Sequence, residues 1–224
     1  MLANVWPLLL ITGLHAEPIA AEPMLAVPGK LLLSLPSGDE LPKTWRPTAG
    51  QWQLRGGVLV GREIPEQNHG AGVRHPFQAG DVVAAYEFRV GAKNQNATAA
   101  FNAGSHHLCR IVFEPKRVML RKPDQDHGRG PDEQLTLDER PFSIEPGRWH
   151  SVVIESLGSD VLVRVDGEVR LFGSHELYRT PKTSIQLTGA SDDAVEYRNL
   201  QVWIASANPD WPRLRESTLI QRGR

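Results

Sequence analysis

From Leu31 onward the chain alternates apolar and polar positions in short runs separated by clusters of Gly, Pro, Asn and Asp, with no amphipathic helical pattern longer than about two turns. In the run Val82 to Val90, Val82, Ala84, Tyr86, Phe88 and Val90 fall on one face and Glu87 and Arg89 on the other. In the run His107 to Phe113, His107, Cys109, Ile111 and Phe113 share an apolar face, which leaves His106 and Arg110 on the opposite one. Period two is the mark of a half-buried strand. Val152-Val153-Ile154 departs from it by being apolar on both faces, as a strand covered on both sides would be. The run Thr183 to Thr188 alternates Thr183, Ile185 and Leu187 with Ser184, Gln186 and Thr188. Between Val195 and Ile204 the apolar phase changes from odd (Val195, Tyr197) to even (Leu200, Val202, Ile204), and a bulge near Arg198-Asn199 reconciles the two. These runs predict an all-β fold, a two-sheet antiparallel jelly-roll sandwich.

One hairpin can be read to its register. Strand-like arms flank Val165-Asp166-Gly167. A two-residue Asp-Gly loop would set Val163 against Arg170 and Val165 against Glu168, apolar against charged. A three-residue loop with Gly167 left-handed and a bulge instead pairs Val163 with Val169, Val161 with Leu171 and Arg164 with Glu168. A one-residue slip moves every side chain to the other face, so the second register is predicted. The segment Lys122 to Gly147 is rich in charge and proline, with only Leu135-Thr136-Leu137 and Pro141-Phe142 as apolar islands, and reads as a long functional or mobile connection.

Composition narrows the picture. The chain has 224 residues, 25 Lys and Arg against 26 Asp and Glu, and a net charge of −1, so no global field recruits nucleic acid or an anionic membrane. The single cysteine, Cys109, excludes an intrachain disulfide and a multi-cysteine zinc site, and reads as a packed small hydrophobe. An apolar stretch from Val5 to Leu14, followed by Ala16, Ala20 and Ala21, resembles a secretory signal peptide without a basic leader. The predicted organisation is a signal peptide over 1–21, a jelly-roll domain over 27–206 and a carboxy-terminal extension over 207–224, in a protein exported to the periplasm or outside the cell and carrying no membrane anchor after cleavage.

Four motifs in order carry a family likeness: the run from Gly50 through Trp52 to Gly61, then Pro146-Gly147-Arg148-Trp149-His150, then Val165-Asp166-Gly167, then Tyr197 to Trp203. Together they resemble concanavalin A-like jelly rolls of the laminin-G type, and within them the 3-keto-disaccharide hydrolase domain family and its family 16 glycoside hydrolase-like neighbours. The resemblance covers roughly Leu31 to Ala205 and implies an exported, sugar-directed hydrolase acting on glycosides oxidised at C3, with a carbohydrate or small glycoside as partner. Family 16 glycosidases carry Glu-x-Asp-x-x-Glu on one strand for a retaining mechanism. That pattern is missing here, so the label does not imply glycanase activity. A non-catalytic module binding a glycan or a protein remains the alternative.

The candidate ligand-binding residues are His106, His107 and Arg110 on one strand and Lys122, Asp124, Asp126, His127 and Asp132 in the charged segment after it. The guanidinium fork of Arg110 suits a sugar hydroxyl or carboxylate, and His106 could move a proton near neutral pH. Ordinary solvent-facing polar residues would give the same pattern. Asp124-x-Asp126-x-Gly128 resembles the start of a calcium loop but lacks the third acidic ligand and the distal Glu. His106, His107, His127 and Asp126 have no recognised zinc spacing, and no Gly-x-Ser-x-Gly elbow occurs. No metal or cofactor is predicted. Trp45 and Trp211, in proline-rich loops, are the candidates for stacking on a sugar, whereas Trp149 and Trp203 are expected in the core.

Overall fold

The computed structural model describes residues 24–93, 96–190 and 193–220, so the predicted signal segment lies outside the described residues. Among the described residues fifteen strands form two antiparallel sheets. One sheet holds β1 (Ala26–Ser34), β3 (Gln51–Arg55), β4 (Val58–Arg62), β6 (Val82–Val90), β11 (His150–Leu157), β12 (Asp160–Val165), β13 (Val169–Ser174) and β15 (Val195–Ala207). The other is ordered β10 (Leu135–Pro141), β9 (Arg117–Lys122), β8 (His106–Glu114), β7 (Asn96–Ala103), β14 (Lys182–Ala190), β5 (Ala71–Ala79) and β2 (Arg46–Ala49). The predicted jelly-roll sandwich is therefore the observed fold.

The predicted inner faces meet in the core. Phe88 and Phe113, from opposite sheets, have ring centroids 4.5 Å apart. Cys109, Ile111, Ile185, Leu187, Val152, Ile154, Val161 and Val163 are all buried around them. Cys109 is packed as a small apolar group, and burial pushes its thiol up to about 12. The chain passes from one sheet to the other through Gly50 alone, between β2 and β3. Gly50 has φ +69, and an added Cβ would lie 2.5 Å from the Arg62 carbonyl oxygen, so no side chain fits that corner. On β15 the predicted bulge is present: the pairing with β6 jumps between Arg198 and Gln201, and Asn199 has φ 53. The bulge divides β15, which pairs with β4 through Val195 to Tyr197 and with β1 through Gln201 to Ala207.

Three expectations are corrected. The hairpin pairs Val165 with Val169, Val163 with Leu171 and Arg164 with Arg170, two positions along from the predicted register, around a loop of Asp166, Gly167 and Glu168. Gly167 is left-handed as predicted, at φ 74, but Asp166 is too, at φ 50. The cause is the Asp166 carboxylate, which accepts the Ser151 N–H at 2.8 Å and lies 2.8 Å from His150 Nδ1, and so draws Asp166 out of the strand. Apolar still faces apolar, because the displacement is an even number of residues. Second, the charged segment after Lys122 contains β10, an edge strand on β9. Its Leu137 packs on the core, and its Asp138 accepts the Phe172 N–H at 2.9 Å across to β13 of the other sheet. Alternation was too broken by Asp138, Glu139 and Arg140 to show a strand.

Third, the carboxy-terminal tail carries a helix, α1 (Trp211–Ile220). It has no regular apolar stripe and is anchored by Trp211 and Leu214 on the outer face of the eight-stranded sheet. Val83, Ala85, Val153 and Leu162 form that face, with Leu25 and Ala26 beside the helix. This cover explains why Val153 is apolar on what would otherwise be a wet surface. Under it the Glu155 carboxylate, 1% exposed, accepts the Ala26 N–H at 2.8 Å and an Arg164 guanidinium N–H at 2.7 Å. No described helix is long and apolar enough to cross a membrane.

Replacing Asp166 by alanine would leave the Ser151 N–H and the buried His150 ring without their partner. The expected loss is about 1–3 kcal/mol in a denaturant titration. A variant as stable as the parent would show that the carboxylate does not hold the loop.

Candidate functional site

The outer face of the seven-stranded sheet holds a cavity of about 350 Å³. Its floor is the polar half of the strand alternation, Thr98 and Ala100 on β7, Arg110 and Val112 on β8, Gln186 and Thr188 on β14. The exposed ring of His69 stands at its rim, held by 2.7 Å contact between Nδ1 and the Gly70 carbonyl. Every wall residue except His69 and Gly70 sits on a strand, so the site is rigid.

His107 lines this cavity beside Arg110, which overturns its predicted place on the core face. The reason is a bulge in β8: Phe101 pairs with Cys109 but Asn102 pairs with His107, so Leu108 is an extra residue. The phase before the bulge is reversed, and His107 is carried to the outer side. Its Nδ1 lies 2.6 Å from Asn102 Oδ1, and the Asn102 amide nitrogen donates to Ser184 Oγ at 3.0 Å. Asn102 Oδ1 can only accept, so Nδ1 carries the proton and Nε2 is the basic atom. Burial, followed by the charges of Arg110 and Arg74 and then by His127 and His106, lowers the His107 pKa to about 4, so the ring is neutral near pH 7.

Gln186 is also held in one orientation. Its Oε1 accepts two N–H groups of Arg74, at 2.8 and 3.3 Å, which leaves its amide N–H₂ as the remaining donor. Arg74 spends a further N–H on the Gly104 carbonyl at 3.1 Å. Glu114, at the far end of β8, is held by Arg117 at 2.7 Å and lies 3.9 Å from Arg121.

The loop residues named from the sequence are not brought into the cavity. Lys122 is buried, with its Nζ on Asp132 and, at 2.9 Å, on the Glu133 carbonyl. Asp124 accepts the backbone N–H groups of Asp126, His127 and Gly128 at 2.7–3.0 Å. Asp126 accepts the Asp132 N–H at 3.0 Å, and Asp132 the Gln125 N–H at 2.7 Å. The Asp126 carboxyl is lowered below its ordinary range chiefly by the Asp132 N–H, and the Asp132 carboxyl chiefly by Lys122. These carboxylates brace a loop. Among the described residues no three His, Cys, Asp or Glu side chains converge on a point where a metal ion could sit. The loop does lean on the site's edge: Gln125 donates to the His107 carbonyl at 2.7 Å, and the His127 ring stacks on that of His106 at 5.6 Å.

The tryptophan expectations are corrected. Trp45 is 3% and Trp211 8% exposed, one packed edge-on to His75 and the other against Phe172, so neither offers a face to a sugar. Trp149 is outside the core, between the guanidiniums of Arg89 and Arg198 at 4.6 and 4.2 Å on the eight-stranded sheet. Those arginines pair in turn with Glu196 and Glu87. Thr98, Gln186 and Thr188 were not singled out from the sequence, although the polar phase of their strands placed them on the same face as Arg110.

No protein-family model matches the chain, and no curated protein does. Solved structures resemble it in fold. The carbohydrate-binding module CBM66 of Bacillus subtilis superposes with a TM-score of 0.56 at 10% identity, over 71% of this chain and 95% of that one. A Bacillus subtilis protein of galectin-like fold gives 0.58 at 12% identity, over 82% and 100%. The CBM2 module of an evolved Dit from Lactobacillus casei BL23 phage J-1 gives 0.58 at 9% identity, over 80% and 97%.

A histidine with a folded pKa near 4 against an ordinary 6.5 binds its proton more weakly folded than unfolded. Its contribution to stability is therefore complete above about pH 6.5 and is lost as the pH falls from there toward 4. The parent is expected to lose thermal stability relative to His107→Gln across this window in paired melts. A difference that stays constant from pH 7 to pH 4 would contradict a neutral His107.

Proposed function

We propose that this chain is a sugar-directed jelly-roll protein, exported as the apolar stretch from Val5 to Leu14 suggests, that binds a carbohydrate in the cavity on its seven-stranded sheet. One observation carries it: a rigid, sheet-built cavity lined by Arg110 and Thr188 together with His107 and Gln186, whose donors and acceptors are fixed. Ring hydroxyls need such an array, and a volume of about 350 Å³ falls in the range of small-ligand pockets, ~300–1,000 Å³. The likeness in fold to carbohydrate-binding modules agrees with this reading.

A second reading has its own support. In this reading the unprotonated Nε2 of His107 abstracts a proton next to a carbonyl, with the Arg110 cation lining the same cavity. In a glycoside oxidised at C3, removing the C2 proton places the electron pair in an enolate, which then expels the C1 oxygen substituent. The released alkoxide takes that proton back from His107, and water adding across the resulting C1–C2 double bond gives the free 3-keto sugar. Arg110 would stabilise the enolate oxygen.

Titration calorimetry with neutral and acidic oligosaccharides tests the first reading. Binding should weaken roughly ten-fold or more in Arg110→Ala and in Gln186→Ala with the thermal midpoint retained. Binding unaffected by both variants would place the ligand elsewhere. Release of an aglycone from a 3-keto-glucoside, lost in His107→Gln, would support the second, and no turnover by the parent would exclude it.

A further inference from the structure

The cavity carries an uncompensated positive charge at one end. Arg110 on β8 lies directly opposite Arg121 on β9, side by side on the outer face. Like charges in cross-strand register destabilise a sheet. Burial, with Arg121 adding to it, lowers the Arg110 pKa. Nothing described relieves the pair from the Arg110 side. Its Nε is buried without a partner, no described carboxylate lies within ion-pair distance of it, and no described group accepts from its terminal nitrogens. Arg121 donates to the Met119 sulfur at 2.9 Å, and its one carboxylate among the described residues is Glu114, at 3.9 Å, which already serves Arg117 at 2.7 Å. The Nε of Arg121 is likewise buried and unbonded. Arg74, the next cation along the face, is spent on Gln186 and the Gly104 carbonyl and meets no carboxylate either.

A chain with a net charge of −1 thus sets Arg110 on the cavity wall with Arg121 and Arg74 nearby, and the one carboxylate among the lining residues, Glu114, is taken by Arg117. His107 adds no charge near pH 7, because its ring is neutral there. Arg110 is the one cation of the three that lines the cavity itself, and its buried Nε has no partner. A planar carboxylate accepts two parallel N–H bonds from a guanidinium edge, a match that a neutral hydroxyl cannot make.

We propose that the saccharide held in this cavity is acidic, a uronic acid whose carboxylate is bound by the terminal nitrogens of Arg110. This rests on the carbohydrate reading of the cavity and specifies the class of sugar. The donors of Gln186 and the acceptor Nε2 of His107 then serve ring hydroxyls, while Arg110 reads the acid.

The test compares galacturonate and mannuronate oligosaccharides with their methyl-esterified forms and with sulfated and neutral oligosaccharides, by titration calorimetry on the full chain. The free acids are expected to bind roughly ten- to hundred-fold tighter than the esters. That preference should shrink as salt rises from about 50 mM to about 500 mM. Arg110→Gln should abolish the preference while raising or keeping the thermal midpoint, because it removes one of two opposed cations. Arg110→Lys should retain part of it, since it keeps the charge but not the fork. The acid should raise the midpoint of the parent and leave that of Arg110→Gln unmoved. Equal binding of acid and ester, or tighter binding of the sulfated sugar, overturns the proposal and leaves carbohydrate binding standing. Binding of none of these sugars overturns both. A large fall in the midpoint of Arg110→Gln would make Arg110 a structural residue and also overturn it.

Discussion

The space between the two sheets must stay dry, and the rest of the molecule is arranged around that requirement. Phe88 meets Phe113 across it, and most inward positions of the central strands are apolar. A strand that has to change phase can therefore do so only at a bulge, which moves the side chains on one side of it to the other face. Both β15 and β8 use this. On β15 the bulge at Asn199 keeps Tyr197 and Val202 inside although their positions differ in parity. On β8 the extra residue Leu108 keeps Cys109 inside and turns His107 outward, next to Arg110. The site's histidine owes its position to a rule about the core.

The two outer faces meet opposite fates for a compositional reason. Val83, Ala85, Val153 and Leu162 make the outside of the eight-stranded sheet apolar, and exposing them would leave a contiguous greasy patch. Residues 24–26 and α1 cover it, and Glu155 ties the first of these down by accepting backbone N–H groups in a buried setting. The outside of the seven-stranded sheet carries Thr98, Arg110, Gln186 and Thr188, needs no cover, and is left as an open cavity. The position of the candidate site follows from which face was left wet.

Much of this could be read from the chain. The alternation in Val82 to Val90, the phase change before Leu200 and the two-faced run Val152-Val153-Ile154 each correspond to an observed feature. Local pattern failed where a distant group intervened. The loop at Asp166 is set by Ser151 and His150 on a neighbouring strand, and α1 is held by Trp211 rather than by its own periodicity. For the site, alternation placed Arg110 correctly on the outer face, but it put His106 there too and His107 in the core, because a bulge of one residue, which reverses the phase of both, leaves no mark in composition. The acidic loop was overvalued for a different reason: Asp124, Asp126 and Asp132 are spaced like ligands, yet they accept backbone N–H groups of their own loop. A carboxylate that shapes a turn and one that waits for a ligand look alike in sequence.

The electrostatics of the site also bear on whether it binds or reacts. The influences that keep His107 neutral are burial first and then Arg110 and Arg74. The same influences make Nε2 a poor base, since a group whose conjugate acid has a pKa near 4 gains little by taking a proton at pH 7. As a hydrogen-bond acceptor it loses much less, because accepting from a hydroxyl transfers no charge. A base suited to proton abstraction would sit beside a carboxylate that raises its pKa. In the cavity the histidine is instead set among cations, an arrangement that favours holding a ligand over taking a proton from it.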